Sequence, residues 1–114
     1  MPNFAAIYAI RAALEYLRGI GVAQLYAAAQ PLVEECRREL QLLPIELLTP
    51  PQGPIAGILA FRHPQAAAIY EYLHQRNIHV MSHAGRLRIA IHGYNTADDV
   101  DTLLRELRTA LKQV

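Results

Sequence analysis

A row of basic side chains carries the most specific chemical signal in the chain. Arg86, Arg88 and His92 stand two and four residues apart in GRLRIAIHGYNT, a stretch that begins with the alternation typical of a β-strand. In a strand these three positions share one face, while Leu87 and Ile89 point to the other, which the pattern predicts to be core. A guanidinium is a planar fork that binds a carboxylate through two hydrogen bonds. The spacing leaves two interpretations open, a solvated strand face and the wall of an anion site.

The histidines do not show the spacing of a metal site. The chain has five of them, with no helical HxxxH pair and no cysteine beside them. His63 is interpreted as a helix N-cap and His74 as a solvated helix residue. His79 and His83 are placed to share a strand face if the turn that follows allows it. We therefore predict neither a metal site nor a catalytic residue in this chain.

The single cysteine, Cys36, is predicted to be a core residue. It lies at helical spacing from Val33 and Leu40, and a reactive thiolate would need a helix N-terminus or a cationic partner. Arg37 and Arg38 follow it but are expected to point outward. Because one cysteine cannot form an internal disulfide, the sequence fits a reducing, cytoplasmic location.

Composition limits the classes of partner. With 114 residues, of which 53% are hydrophobic, the chain is the size of one globular domain, residues 1–114. Eleven basic residues against ten acidic ones leave no excess of positive charge for a nucleic acid. Arg11 and Glu15 interrupt the apolar N-terminal stretch before it could span a membrane. We expect neither a nucleic-acid nor a membrane partner.

Two helices are predicted to come first. One is capped by Asn3 and stops at Gly19, and a longer one runs from Val22 to Leu40 and is kinked or broken at Pro31. Both are rich in alanine.

The remainder predicts four strands and two helices. A third helix begins with His63 as N-cap and Pro64 as its first residue, and the last begins with a capping box of Thr96 and Asp99. The four strands are predicted at Ile45 to Leu48, Ile55 to Phe61, NIHVMS and RLRIAI. The order ααββαββα favours an α+β fold, with a small antiparallel or mixed sheet of about four strands and helices on one face.

Four segments of the chain resemble one known family. They are similar to the C-terminal small domain of class V aminotransferase-like enzymes, the pyridoxal phosphate family that includes cysteine desulfurases and selenocysteine lyases. The resemblance spans essentially all 114 residues and rests on PNFAAIYAIRAALEYLRGIG, IELLTPP, GILAFRHP and GRLRIAIHGYNTADDVDTLLREL. It implies the small domain of a fold-type I enzyme.

The resemblance also implies roles for particular residues. Arg88, in the strand before YNT, matches the arginine that holds the substrate α-carboxylate, whereas Arg86 has no such counterpart and is kept only as a weaker candidate. The cofactor and the lysine that binds it belong to a larger, preceding domain, which we expect to be absent here. Since Lys112 near the C-terminus is the only lysine, the chain is expected to bind no pyridoxal phosphate and to be inactive alone.

The sequence also departs from the family. Many desulfurases carry a nucleophilic cysteine between the last two strands, where this chain has only SHAG, so a lyase, epimerase or aminotransferase-like parent is an equal alternative. The leading hypothesis is an isolated or truncated small domain that works with a separate large domain. The competing hypothesis is a free-standing module that binds a small carboxylate or a protein without cofactor chemistry. Uncovered alanine-rich helix faces also predict a homo-oligomer.

Overall fold

Four helices and a four-stranded sheet make up the fold. The computed structural model describes residues 1–114. The elements in chain order are α1 (Phe4–Ile20), α2 (Val22–Leu40), β1 (Glu46–Leu47), β2 (Ile58–Arg62), α3 (Ala66–His74), β3 (Met81–His83), β4 (Arg86–Ala90) and α4 (Ala97–Gln113). The predicted order ααββαββα is confirmed.

The sheet is antiparallel throughout, in the order β1-β2-β4-β3. β4 is therefore an inner strand, with β2 on one side and β3 on the other. The predicted α+β class is confirmed, and of its two versions of the sheet the antiparallel one forms.

One face of the sheet is buried by helices and the other is open. Along β2 and β4 the residues alternate between buried and exposed, as a half-buried strand requires. Buried strand residues and the apolar sides of three helices form one core: Val33, Cys36 and Leu40 of α2, Leu59 and Phe61 of β2, Ala66, Ile69 and Leu73 of α3, Leu87 and Ile89 of β4, Ile91, and Val100, Leu103, Leu104, Leu107 and Ala110 of α4. The prediction of helices on one face is confirmed.

α1 contributes nothing to that core. It contains no buried residue, and large apolar side chains along it are exposed, among them Tyr8 at 69% and Leu14 at 61%. The radius of gyration is 16.4 Å, against about 13 Å for a compact domain of this length. The helix thus extends away from the rest of the molecule.

The first two helices differ from the prediction in where α1 ends and in the absence of a break at Pro31 of α2. α1 passes through Gly19 and ends at Gly21, whose positive φ of 97° suits glycine and whose N–H donates to the carbonyl of Leu17. α2 is not broken at Pro31. Its second half is fixed by core packing, which outweighs the hydrogen bond that proline removes.

The strands are shorter than predicted or shifted. β1 covers only Glu46–Leu47, and β3 begins at Met81, so the first four residues of NIHVMS lie outside the sheet. β2 begins only at Ile58, because the residues just before it are not in strand conformation and Gly57 contacts the backbone of Ile91. The N–H of Ile91 donates to the carbonyl of Gly57 (2.7 Å), and a Cβ at Gly57 would lie 2.5 Å from the Ile91 oxygen. Only glycine fits there.

His63 is not the N-cap of α3. The helix begins at Ala66 after Gln65, and His63 lies two residues earlier, where its Nδ1 accepts the N–H of Gln65 (3.0 Å). The side chain therefore closes a turn ahead of the helix instead of capping it. The capping box of α4, with Thr96 and Asp99, is confirmed. None of the helices is both long and apolar enough to span a membrane.

Candidate functional site

Arg88 lies at the centre of the open sheet face. It stands opposite Ala60 of β2 and Met81 of β3 and is exposed. Its Nη2 donates to the Met81 Sδ (2.7 Å), its one side-chain hydrogen bond in the chain. A thioether is a weak, uncharged acceptor, so the guanidinium keeps its capacity to bind a carboxylate.

Arg86 lies one pleat away on the same face, in a row of basic groups. Its cross-strand neighbours are Arg62 of β2 and His83 of β3. Arg62 pairs with Glu46 of β1 (3.3 Å), whereas Arg86 has no ion-pair partner in the chain. The structure therefore brings Arg86 and Arg88 together as the spacing predicted.

A shallow hollow joins the two arginines. Its lining combines three polar side chains with three apolar ones: Arg86, Arg88, His83, Leu48, Ala60 and Met81. Sequence reasoning missed the contributions of the other strands. The alternation in ILAFR places Ala60 and Arg62 on one face, but the register that brings that face beside Arg88 is not readable from spacing alone.

The turn between β3 and β4 fixes where Arg86 stands. Ala84 (φ 52°) and Gly85 (φ 76°) both have positive φ and link the paired residues His83 and Arg86. Two such residues form the tight hairpin turn that matches strand twist, although alanine adopts this conformation at a cost.

Residues of the YNT segment fix the chain just after β4. Asn95 Oδ1 accepts the N–H of His92 (2.8 Å), and Asn95 Nδ2 donates to Asp99 (3.3 Å). Asp99 also accepts the N–H of Thr96 (2.9 Å), and its own N–H donates to the Thr96 hydroxyl (3.2 Å). These bonds, the Thr96 backbone bond first and the Asn95 bond next, lower the pKa of the Asp99 carboxyl. The segment thus links the end of the Arg88 strand to the start of α4.

His74 is an exposed helix residue, as predicted, but His79 and His83 are arranged differently from the prediction. His79 lies before β3 and does not share a strand face with His83. It contacts the exposed His74 at the end of α3, with the two Nδ1 atoms 3.2 Å apart. No group of three or more histidine, cysteine or acidic side chains stands together in the structure.

Cys36 is buried, as predicted, but Arg37 is not where it was expected. Burial first, and then the nearby Glu35, raises the pKa of the Cys36 thiol to about 12, which opposes a nucleophilic role. The Arg37 side chain is only 8% exposed and pairs with Glu34 (2.7 Å). It also donates to the carbonyl of Gly53 (2.9 Å), so the loop before β2 covers it, which helical spacing could not show.

A family model for aminotransferase class-V matches residues 1–103. This chain belongs to the class V aminotransferase family. The resemblance inferred from its motifs is thereby confirmed, and the family is in general pyridoxal phosphate dependent. No curated protein matches the chain.

Solved structures of similar fold include a cysteine desulfurase and a NifS-like protein. The apo structure of the cysteine desulfurase from Thermococcus onnurineus NA1 matches 100% of this chain with a TM-score of 0.83 and 22% identity. A NifS-like protein matches 77% with a TM-score of 0.68 and 19% identity. At these identities the likeness shows the fold. The aligned part is 32% and 28% of those two chains, so this chain spans about a third of their length.

The residues of this chain do not by themselves fit the family's cofactor. Lys112, the only lysine, is exposed in the last turn of α4. That helix packs on the buried face of the sheet, whereas Arg88 lies on the open face. The lysine and the candidate carboxylate site are therefore on opposite sides of the sheet, and no step of cofactor chemistry is assigned to this chain.

Proposed function

We propose that this chain is the small domain of a class V pyridoxal phosphate enzyme and that Arg88 binds the α-carboxylate of its substrate. The observation that carries the proposal is the position of Arg88, exposed at the centre of the open sheet face with a thioether as its one side-chain acceptor. A buried arginine whose donors are all satisfied within the protein, as in Arg37, would have none left for a ligand. The match of residues 1–103 to the family supports the same role.

In this proposal the large domain and this chain have different roles. The cofactor supplies the bond-breaking chemistry from a large domain, which also supplies its lysine. This chain contributes a carboxylate-binding surface, and its geometry is set by the register of β4 between β2 and β3. It orients a substrate and catalyses nothing by itself.

The large domain is also the proposed partner of α1. Phe4, Ile10 and Leu14 are more than half exposed, although the helix is long and regular. Apolar surface of this kind is covered in a stable assembly. Since the chain spans about a third of the length of its solved relatives, a large domain is the proposed partner that buries the apolar face of α1. When that domain is missing, a second copy of the chain buries the same face.

Calorimetric titration with an amino acid tests the role of Arg88 on the chain itself. We expect L-alanine to bind weakly and Arg88→Ala to reduce its affinity about tenfold or more, because a charged hydrogen bond contributes about 1.5 to 3 kcal/mol. Arg105→Ala, which removes an exposed arginine from α4, is the matched control and should leave the affinity unchanged. Equal heats for Arg88→Ala and the wild type would remove Arg88 from the proposal.

A further inference from the structure

Arg86 has no ion-pair partner and lies in a row of basic side chains. Arg62 and His83 stand directly opposite it on the two neighbouring strands. Glu46, at the β1 end of the row, is engaged by Arg62 through both carboxylate oxygens (3.3 and 3.4 Å). Like charges placed opposite each other across strands are unfavourable, so an anion bound at Arg86 would relieve the repulsion.

On the open sheet face, the arginines without an ion-pair partner occupy two neighbouring positions, Arg86 and Arg88. Arg86 and Arg88 face the same hollow, and strand geometry separates their backbones by about 7 Å. Glu71 of α3 borders a second hollow beside Arg88 but accepts a hydrogen bond from Gln75 (3.3 Å) and forms no ion pair with either arginine. Leu48 contributes an apolar side chain to the lining of the first hollow.

We propose that Arg86 binds a second anionic group of the same substrate, so that the site selects an amino acid or 2-oxo acid with a carboxylate in its side chain. This inference rests on the proposed role of Arg88. One carboxylate binds Arg88 and displaces the weak Met81 contact, while the other binds Arg86 beside His83. An acidic protein surface fits less well, because Arg62 already has Glu46 as its ion-pair partner and the unpaired arginines do not extend along the row.

The test is an NMR titration of the chain with L-glutamate and L-glutamine at constant ionic strength and neutral pH. The two ligands have the same shape, and only the first carries a second carboxylate. We expect the wild type to bind glutamate about tenfold more tightly than glutamine, a factor equivalent to ~1.4 kcal/mol. Arg86→Gln should abolish this preference without changing the affinity for glutamine. Arg88→Gln should weaken both ligands, and the control Arg105→Gln neither.

Three results would overturn the inference. The first is equal affinity of the wild type for the two ligands, and the second is an equal loss for both ligands in Arg86→Gln. The third concerns a capped oligoglutamate peptide, which lacks a free α-carboxylate: it binds the wild type as tightly as glutamate does and loses its affinity in Arg86→Gln. The basic row around Arg86 would then be a docking surface for an acidic protein. If Arg88→Gln leaves glutamine binding unchanged, the proposed function fails instead, and absence of any glutamate binding overturns both.

Discussion

At the scale of single residues, the environment of each reactive side chain decides its role. Arg88 and Arg37 are both arginines, yet one is exposed beside a thioether and the other is enclosed by Glu34 and the carbonyls of Pro50 and Gly53. The enclosed guanidinium has its hydrogen bonds satisfied inside the protein. Of these two arginines, only Arg88 has donors available to a ligand.

The buried thiol predicts a dependence of stability on alkaline pH. The pKa of Cys36 is raised from 9.0 to about 12, so between these values the folded chain keeps a proton that the unfolded chain has lost. The contribution of the protonated thiol to stability should therefore be complete below pH 9. Above pH 9 the free energy of unfolding should fall as the pH rises, by up to ~1.4 kcal/mol per pH unit. Urea unfolding of the wild type and of Cys36→Ala measures it.

The alanine variant isolates the thiol from the other groups that titrate at high pH. The difference in unfolding free energy between wild type and Cys36→Ala should decrease above pH 9, the unperturbed thiol value. Parallel curves for the two proteins across that range would contradict a buried thiol at this position.

Part of the site could be predicted residue by residue. The alternation in RLRIAI placed Arg86 and Arg88 on one face, and the structure confirms it. Helical spacing also placed Cys36 in the core, but it could not show that the loop at Pro50 to Gly53 folds back over Arg37. Such a contact joins segments distant in sequence and leaves no local pattern.

At the scale of elements, the β3–β4 hairpin sets the spacing of the candidate site. Ala84 and Gly85 both adopt positive φ, and only the glycine does so freely. The strand β3 is three residues long, so the turn is a large part of what positions His83 and Met81 beside β4.

A substitution in this turn is expected to stabilise the chain. Asparagine tolerates positive φ better than alanine, and Asn-Gly is the preferred pair for this turn. Ala84→Asn should raise the free energy of unfolding by up to about 1 kcal/mol, measured in urea, because it relieves part of the cost of alanine in the left-handed region. Ala56→Asn, at an exposed alanine without positive φ, is the matched control and should have little effect. A loss of stability in Ala84→Asn would mean that the turn has another geometry.

The elements themselves were largely predictable, but their ends were not. Apolar periodicity gave all four helices and all four strands in order, because that signal reflects burial on one face. The predicted start of α3 was two residues too early, because His63 and Pro64 resemble a helix cap and first residue, whereas His63 closes a turn. β2 starts later than its apolar run because Gly57 contacts the backbone of Ile91.

At the scale of the whole molecule, α1 is the feature that a single isolated domain does not explain. Its periodicity correctly predicted a helix with an apolar stripe, but that stripe is not buried within the chain. Nothing in the sequence of a helix tells whether its apolar face meets its own domain or another one.

Self-association is the expected result when no large domain covers α1. Light scattering at increasing concentration should show an oligomer, and Leu14→Glu should shift it toward a monomer that is still folded by circular dichroism, since α1 holds no core residue. Leu42→Glu is the matched control, because Leu42 is 77% exposed outside α1. A strictly monomeric mass at high concentration, or an equal effect of both variants, would contradict this expectation.

The central claim is that this chain completes a class V enzyme by presenting Arg88 to its substrate. The most direct measurement combines the chain with a candidate large domain, encoded upstream in the same polypeptide or in a neighbouring reading frame, and follows the cofactor absorbance as amino acid is added. We predict that wild-type chain restores an amino-acid-dependent change in absorbance. Arg88→Gln should bind the large domain equally well but need about tenfold more amino acid. An identical response with Arg88→Gln, or a large domain that responds equally without the chain, would contradict the claim.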